Sequence, residues 1–189
     1  KELLNFCTVD LSAFYFDIRK DNLYCDNKET NKRKSTIKVL NIILNALLRW
    51  FAPILSFTTE EIYKLLLKDQ KSIHLEKFLE IPKKFENEKV NNKWSELIKI
   101  RNICNISIEE KRASKEIGSS LEADLKIELS KKLKEITEDI DFSELCITSK
   151  AKVNYADNVE TTATTSKAKG SKCPVCWKIN ETACPRHPQ

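Results

Sequence analysis

The stretch IKVLNIILNALLRWF, residues 37–51, decides the fold class of this chain. Its apolar side chains recur at steps of three and four residues, which places them along one face of a helix. Pro53 follows two residues later, and we expect it to end or bend that helix. The stretch predicts a long amphipathic helix, and similar spacing on both sides predicts a mainly α fold. The apolar stripe consists of Ile37, Leu40, Leu44, Leu47 and Phe51, with Ile43 and Leu48 widening it.

Helical spacing extends from this stretch in both directions along the chain. An apolar face recurs from Leu4 to Ile18, and a third helix is expected to run from Thr58 to about Leu67. A longer helix is expected to continue to Ile117, where Gly118 occupies the place of a left-handed residue after the helix end. We therefore expect a helical domain over residues 1–118.

The pattern changes after Gly118. Residues 123–129 alternate between apolar and charged side chains, which is typical of a half-buried strand. A short helix and a second strand follow, so a small α/β unit is expected. The next segment is rich in Thr, Ser, Ala and Lys, which predicts a flexible linker, and a cysteine-rich tail closes the chain. The expected parts are thus residues 1–118, 119–153, 154–172 and 173–189.

Composition excludes several functions for this chain of 189 residues. It has only two glycines, Gly118 and Gly170, and neither a phosphate-binding loop nor a dinucleotide fingerprint can form without several glycines close together. The chain has no run of about 18 apolar residues, so no membrane span is predicted. No secretory signal is visible before the helices. Because the chain lacks Met and begins at Lys1, we expect it to be a piece of a longer protein.

Cysteine spacing in the tail predicts a metal site. Three of the seven cysteines lie there, in the pattern C-x2-C-x7-C-x2-H. Paired two-residue spacings allow two tight turns to direct four ligands at one ion, as structural Zn²⁺ requires, and soft thiolates with one imidazole suit zinc better than iron. The alternative is a frayed terminus with spare cysteines. The expected ligands are Cys173, Cys176, Cys184 and His187.

Cationic side chains suggest a polyanion as a partner. The net charge is +5, and cations beside an exposed aromatic ring suit nucleic acid, because the cations contact phosphates and the ring stacks on a base. Plainer interpretations remain open: Trp177 can pack over the metal site, and the cations can be solvated or lie against a helix dipole. The candidate nucleic-acid contacts are Arg19, Lys20, Lys32, Arg33, Lys34, Lys172, Trp177, Lys178 and Arg186.

Several stretches, taken in order, resemble one family. DLSAFYFDIRKDNLYC (residues 10–25), LLRWFAPILSFTTEEIY (47–63), KEIGSSLEA (115–123) and the terminal CPVCW (173–177) are similar to the C-terminal part of bacterial-type isoleucyl-tRNA synthetase, a class I aminoacyl-tRNA synthetase. The APILSFTTEE phrase alone indicates the wider group that includes the valine and leucine enzymes. IGSSLEA and the cysteine-rich end favour the isoleucine member.

The resemblance implies a helical anticodon-binding bundle, a small α/β junction unit and a zinc-binding tail that together hold tRNA(Ile). The ATP- and Mg²⁺-dependent ligase chemistry would belong to a catalytic domain elsewhere in the same protein, which we expect to be a cytoplasmic monomer. Relatives usually carry four cysteines around the metal with a longer loop between the two pairs, whereas here that loop is shortened and His187 takes the fourth position. The alternatives are a fragment of a valine or leucine enzyme and a non-enzymatic, zinc-containing helical adaptor that binds protein.

Overall fold

A computed structural model describes residues 1–67 and 71–187 of the chain. Its helices account for most of the secondary structure, which confirms the mainly α class. The first helical stretch is continuous and includes an internal π-helical segment over Phe6–Phe16. The α-helices are α1 (Glu2–Asn5), α2 (Asp17–Cys25), α3 (Asn31–Phe51), α4 (Ser56–Leu67), α5 (Glu88–Ala113), α6 (Lys134–Thr137) and α7 (Phe142–Leu145).

Two small sheets and four short 3₁₀ turns complete the described fold. The strands are β1 (Ala123–Ser130), β2 (Lys150–Ala156), β3 (Thr162–Lys167), β4 (Ser171–Lys172) and β5 (Ile179–Asn180). The 3₁₀ turns are Ile73–Leu75, Lys83–Phe85, Ser120–Glu122 and Lys131–Leu133.

Contacts divide the chain into two compact units. One unit joins residues 1–25 to residues 87–189, and the other consists of residues 26–86. This division differs from the expected succession of domains along the chain. The reason is that α5 packs on the sheet and α2 contacts the tail, so both ends of the chain share one unit.

The core of the first unit lies between α5 and the larger sheet. Strand β1 is central, parallel to β2 and antiparallel to β3. The alternation predicted for β1 is confirmed, since Leu125, Ile127 and Leu129 are fully buried while Lys126 is exposed. Cys104 of α5 packs in the same core, as expected for a small apolar residue.

The expected linker over residues 154–172 is not a linker throughout, because β3 occupies Thr162–Lys167 and pairs with β1. The pattern was easy to miss because the inward-facing residues are small. Thr165 is buried, and its hydroxyl hydrogen-bonds that of Ser107 on α5 at 2.9 Å. Threonine is β-branched and suits a strand, so a threonine-rich segment can pair without large apolar side chains.

The end of α5 also differs from the prediction. The helix ends at Ala113, and the left-handed conformation falls on Lys115, whose φ is 59°. Gly118 has no positive φ and donates its backbone N–H to Glu122 Oε2 at 3.0 Å. At the other end Asn87 caps the helix, because its side-chain oxygen accepts from Val90 N–H at 3.2 Å.

The second unit is built on α3 and α4, as the stripe at residues 37–51 predicted. Leu48, Ala52 and Tyr63 form its buried core with Ile73 of a 3₁₀ turn. The predicted end of α3 before Pro53 is confirmed, since the helix stops at Phe51. Across the described residues, 1–67 and 71–187, no helix is both long and apolar enough to cross a membrane.

Candidate metal centre and nucleic-acid interface

A short antiparallel ribbon, β4 with β5, presents the first two cysteines of the tail. Ser171 pairs with Asn180 and Lys172 with Ile179. Between the strands, the backbone N–H of Cys173 donates to Lys178 O at 2.9 Å, and the N–H of Trp177 donates to Cys173 O at 3.0 Å. These bonds close a tight turn over residues 173–178, so two cysteine side chains project from one side.

The ribbon requires glycine where it begins. Gly170 has φ +125°, which side-chain-bearing residues rarely adopt. A Cβ there would lie 2.0 Å from the backbone oxygen of Asn180, so the two backbones approach too closely for any side chain. Gly170 is therefore the glycine that the fold needs, and Gly118 is not.

The structure brings all four expected ligands together. One ligand atom from each of Cys173, Cys176, Cys184 and His187 lies within 4.8 Å of the other three. Cys176 Sγ is 3.8 Å from Cys184 Sγ, and His187 Nδ1 is 3.6 Å from Cys173 Sγ and 3.5 Å from Cys184 Sγ. The two thiols of the first turn are buried.

These separations fit a tetrahedral zinc ion. With Zn–S near 2.3 Å and Zn–N near 2.0–2.1 Å, tetrahedral angles place two sulfurs about 3.8 Å apart and a sulfur and a nitrogen about 3.6 Å apart. The three separations given above match these values, and all four ligand atoms lie within 4.8 Å of one another, so the four groups could hold a metal ion after small side-chain shifts. Since all four positions of the tetrahedron are filled by protein, the metal would be structural.

A hydrogen bond orients the imidazole ring for this role. His187 Nε2 lies 2.8 Å from the backbone oxygen of Cys25, the last residue of α2. Because a carbonyl only accepts, Nε2 carries the proton in this bond, and Nδ1 is left as the ligand atom facing the thiols. The bond also satisfies one of the carbonyls that a helix leaves unpaired at its C-terminal end.

Backbone hydrogen bonds and burial shift the pKa values of the cluster in different directions. Hydrogen bonding from the Cys176 amide, against the opposing effect of burial, lowers the pKa of Cys173 from 9.0 to about 6. Burial raises the pKa of Cys176 to about 11. The bond to Cys25 raises the pKa of His187. Metal binding would release protons from the ligands that still carry them.

The tail is attached to the rest of its unit by polar contacts. Arg186 Nη1 pairs with Asp21 Oδ2 of α2 at 2.6 Å. Lys178 Nζ donates to Ser143 Oγ on α7 at 3.4 Å. These two cations, expected to contact nucleic acid, therefore also hold the tail in place.

Trp177 is an exposed aromatic residue of the turn. The residue is 58% exposed, and Lys172 Nζ lies 5.2 Å from the ring centroid, within the range of a cation–π contact. Its φ is 63°, a conformation that a bulky residue adopts only at an energetic cost. Packing over the turn thus uses only part of the ring, and the rest is open to a ligand.

An open groove of about 370 Å³ separates α2 from the turn. Lys20 and Tyr24 of α2 line one side, and Val175 and Trp177 line the other. The structure thereby brings Lys20 and Trp177, two of the expected nucleic-acid contacts, to one groove. Arg19 is held differently, because its guanidinium pairs with Glu144 at 2.7 Å and is half-buried.

Three further expected contacts lie in the second unit, in the first turn of α3. Lys32 and Lys34 are exposed and Arg33 is half-buried. Lys34 pairs with Glu29 at 2.6 Å. Within the described residues, Arg33 Nε is enclosed and has no hydrogen-bond acceptor. Three cations at the positive end of a helix dipole are unfavourable for the helix itself.

Two supporting groups were beyond sequence reasoning. Asp21 and the carbonyl of Cys25 lie more than 160 positions from the residues they contact, Arg186 and His187. The sequence offers only an indirect signal for these contacts. The last carbonyls of a helix need donors, and the second nitrogen of a metal-bound histidine needs an acceptor, but neither rule says which residues meet.

Comparison with known proteins identifies the family. The family model described as the anticodon-binding domain of tRNA ligase matches residues 1–129. The chain belongs to this family. It is also 66% identical, over 99% of its length, to an isoleucine–tRNA ligase of Pelagibacter ubique, of which it covers 21%.

Other relatives carry the same name at lower identity. The isoleucine–tRNA ligase of Bartonella henselae is 36% identical over 96% of the chain, and that of Zymomonas mobilis is 39% identical over 93%. The chain covers 20% and 19% of these proteins. It therefore spans about a fifth of the length of the curated relatives it matches.

Proposed function

We propose that this chain is the tRNA-binding part of an isoleucine–tRNA ligase and that it binds and positions tRNA(Ile). The observation that carries the proposal is the 66% identity to an isoleucine–tRNA ligase over nearly the whole chain, together with the family match over residues 1–129. The ATP- and Mg²⁺-dependent ligation belongs to a catalytic domain in the remaining four-fifths of such a protein. That domain acts in cis with this region, in a monomeric enzyme.

The tail contributes a structural Zn²⁺ site. Its thiols and imidazole match a tetrahedral ligand set in number, and three of their separations match it in spacing. The tail has few apolar residues, so binding the ion supplies the free energy that orders it. No open coordination position remains for substrate, and the site's role is to hold the turn that carries Trp177 beside α2.

Two surfaces contact the tRNA. On the first unit, the groove between Lys20 and Trp177 receives an unstacked base, because an exposed indole offers a stacking face and the neighbouring cations attract phosphates. On the second unit, residues 32–34 contact the phosphate backbone at the N-terminus of α3. Backbone contacts set the register, and base contacts supply the discrimination.

Binding to tRNA tests the proposal directly. The purified chain, loaded with zinc, is titrated with transcribed tRNA(Ile), tRNA(Val) and tRNA(Leu) in a fluorescence anisotropy assay at several salt concentrations. We expect preference for tRNA(Ile) and an affinity that falls steeply with salt, because phosphate contacts release counterions. Preference for another tRNA would assign the chain to that enzyme.

Two results would overturn the proposal. Absence of tRNA binding at low salt would favour the protein-binding adaptor, whose apolar interface would be less sensitive to salt. Exchange of pyrophosphate with ATP by the chain alone, in the presence of isoleucine, would show that catalysis is not confined to another domain. Zinc measured on protein purified without chelator is expected at about one ion per chain.

A further inference from the structure

The C-terminal turn of α2 contacts both halves of the four-ligand cluster. The thiol of Cys25 lies 3.6 Å from Val175 O, between the first two cysteines. The carbonyl of Cys25 accepts from His187 Nε2 at 2.8 Å, in the second half. Asp21, one turn earlier, pairs with Arg186 at 2.6 Å, directly beside His187.

These contacts reach the ligands through groups that the metal does not touch. We propose that Asp21 and Cys25 are positioning residues for the metal, and that metal binding in turn orders the last turn of α2. The inference rests on the zinc site proposed above. It adds that the site is coupled to the helix that carries Lys20 and Tyr24 on the groove.

The physical basis is a hydrogen bond at the end of a helix. The imidazole N–H of His187 donates to the carbonyl of Cys25, the last residue of α2, at 2.8 Å. When a metal holds Nδ1, the ring can no longer rotate, so its Nε2–H remains fixed on Cys25. Outer-shell partners of metal-bound histidines typically contribute about 10- to 100-fold to metal affinity. Coupling is reciprocal, so metal binding should stabilise the helix end by the same factor.

Hydrogen exchange measures the helix side of this coupling. Backbone amides of residues 22–25 are followed in the full chain with and without zinc. We expect zinc to slow their exchange about 10-fold, the lower end of the outer-shell range. Amides of α5 that face the core, such as those of Leu97 and Cys104, serve as internal references and should change little.

Substitutions measure the metal side. Asp21→Asn should weaken zinc affinity about 2- to 10-fold in competition with a chromophoric chelator. The matched control is Asp17→Asn, one turn earlier on the same helix, where the carboxylate pairs only with exposed Lys20 in the contacts described. It should leave zinc affinity unchanged. The charge swap Asp21→Arg with Arg186→Asp should restore most of the lost affinity.

A ligand exchange separates coordination from coupling. His187→Cys keeps four zinc ligands but removes the donor to Cys25 O. The variant should still bind zinc, but zinc should slow its amide exchange at residues 22–25 by less than about 3-fold. If this variant binds no metal, the comparison of Asp21→Asn with Asp17→Asn still tests the coupling.

The outcomes distinguish the two proposals. If the parent chain binds no zinc, the metal site is wrong and the coupling falls with it. If the parent binds zinc but exchange in α2 is the same with and without it, the zinc site stands and the coupling is overturned. Equal zinc affinity for Asp21→Asn and Asp17→Asn would also overturn it, since a purely structural salt bridge would change stability alone.

Discussion

Replacing Gly170 with alanine tests how the metal centre depends on the ribbon that carries it. The new Cβ would lie 2.0 Å from Asn180 O, 2.4 Å from Asn180 C and 2.7 Å from Glu181 N. All three are backbone atoms, so no side-chain rotation relieves the overlap. The φ of +125° adds strain for any residue with a Cβ. The strands β4 and β5 must therefore separate where their pairing begins.

The cost can be estimated from the backbone conformation alone. A side-chain-bearing residue held in a sparsely populated φ region costs about 1–3 kcal/mol. The substitution strains only the ordered tail. Because zinc binding supplies the free energy that orders the tail, this strain is subtracted from the free energy of zinc binding. Zinc affinity should therefore fall about 5- to 150-fold, taking tenfold for each 1.4 kcal/mol, and the steric overlap makes this a lower bound.

The assay compares the two glycines of the chain. Zinc affinity is measured by competition with a chromophoric chelator for the parent, Gly170→Ala and Gly118→Ala. At Gly118 the nearest atom to a new Cβ is Glu122 Oε1 at 3.5 Å, an ordinary contact, and φ is not positive. Gly118→Ala should bind zinc as the parent does. Affinities of the two variants within twofold of each other would refute the reasoning, because the ribbon would then not support the site.

Three further predictions concern the RNA surfaces and the second unit. Charge reversal of residues 32–34 to Glu should weaken tRNA binding in the anisotropy assay and reduce its salt dependence. Thermal stability should be kept or raised, because acidic residues are favourable at a helix N-terminus. Unchanged affinity would exclude these residues from the interface. Trp177→Gly should keep full zinc occupancy, since glycine tolerates a φ of 63°, yet lose about 1–3 kcal/mol of RNA binding through the missing stacking face; an unaltered Kd for tRNA would exclude stacking. Glu60 has a pKa lowered from 4.5 to about 2 by hydrogen bonds from Lys64 and Ser72. Its contribution is therefore present above pH 4.5 and is lost as pH falls towards 2, so urea unfolding should separate parent from Glu60→Gln at pH 7 and no longer at pH 2.

Sequence patterns predicted what depends on neighbouring residues. The stripe over residues 37–51 defined α3, and the alternation over 123–129 defined β1. The two-residue spacings predicted one cluster of four ligands, and the structure brings their ligand atoms within 4.8 Å of one another. In each case the spacing of residues a few positions apart is enough to predict the feature, so no contact between distant parts of the chain has to be known.

The missed features depend on distant partners. Strand β3 is stabilised by β1 and by Ser107 on α5, neither of which is visible from the threonine-rich segment itself. Lys115 takes the left-handed position because the chain leaves α5 earlier than Gly118 suggested. The contacts of α2 with the tail join residues at opposite ends of the chain, and a single sequence holds no signal for such pairs.

The two left-handed positions at the turn explain why a tryptophan follows Cys176. Both Gly170 and Trp177 have positive φ, where glycine is the inexpensive choice. At Gly170 the space beside the backbone is filled, so glycine is obligatory. At residue 177 more than half of the residue is exposed, and the chain accepts a strained indole where glycine would cost less. Stability alone therefore does not account for a tryptophan at this position. The proposed function does, because it uses the aromatic face beside Lys172 and the groove to stack against a base.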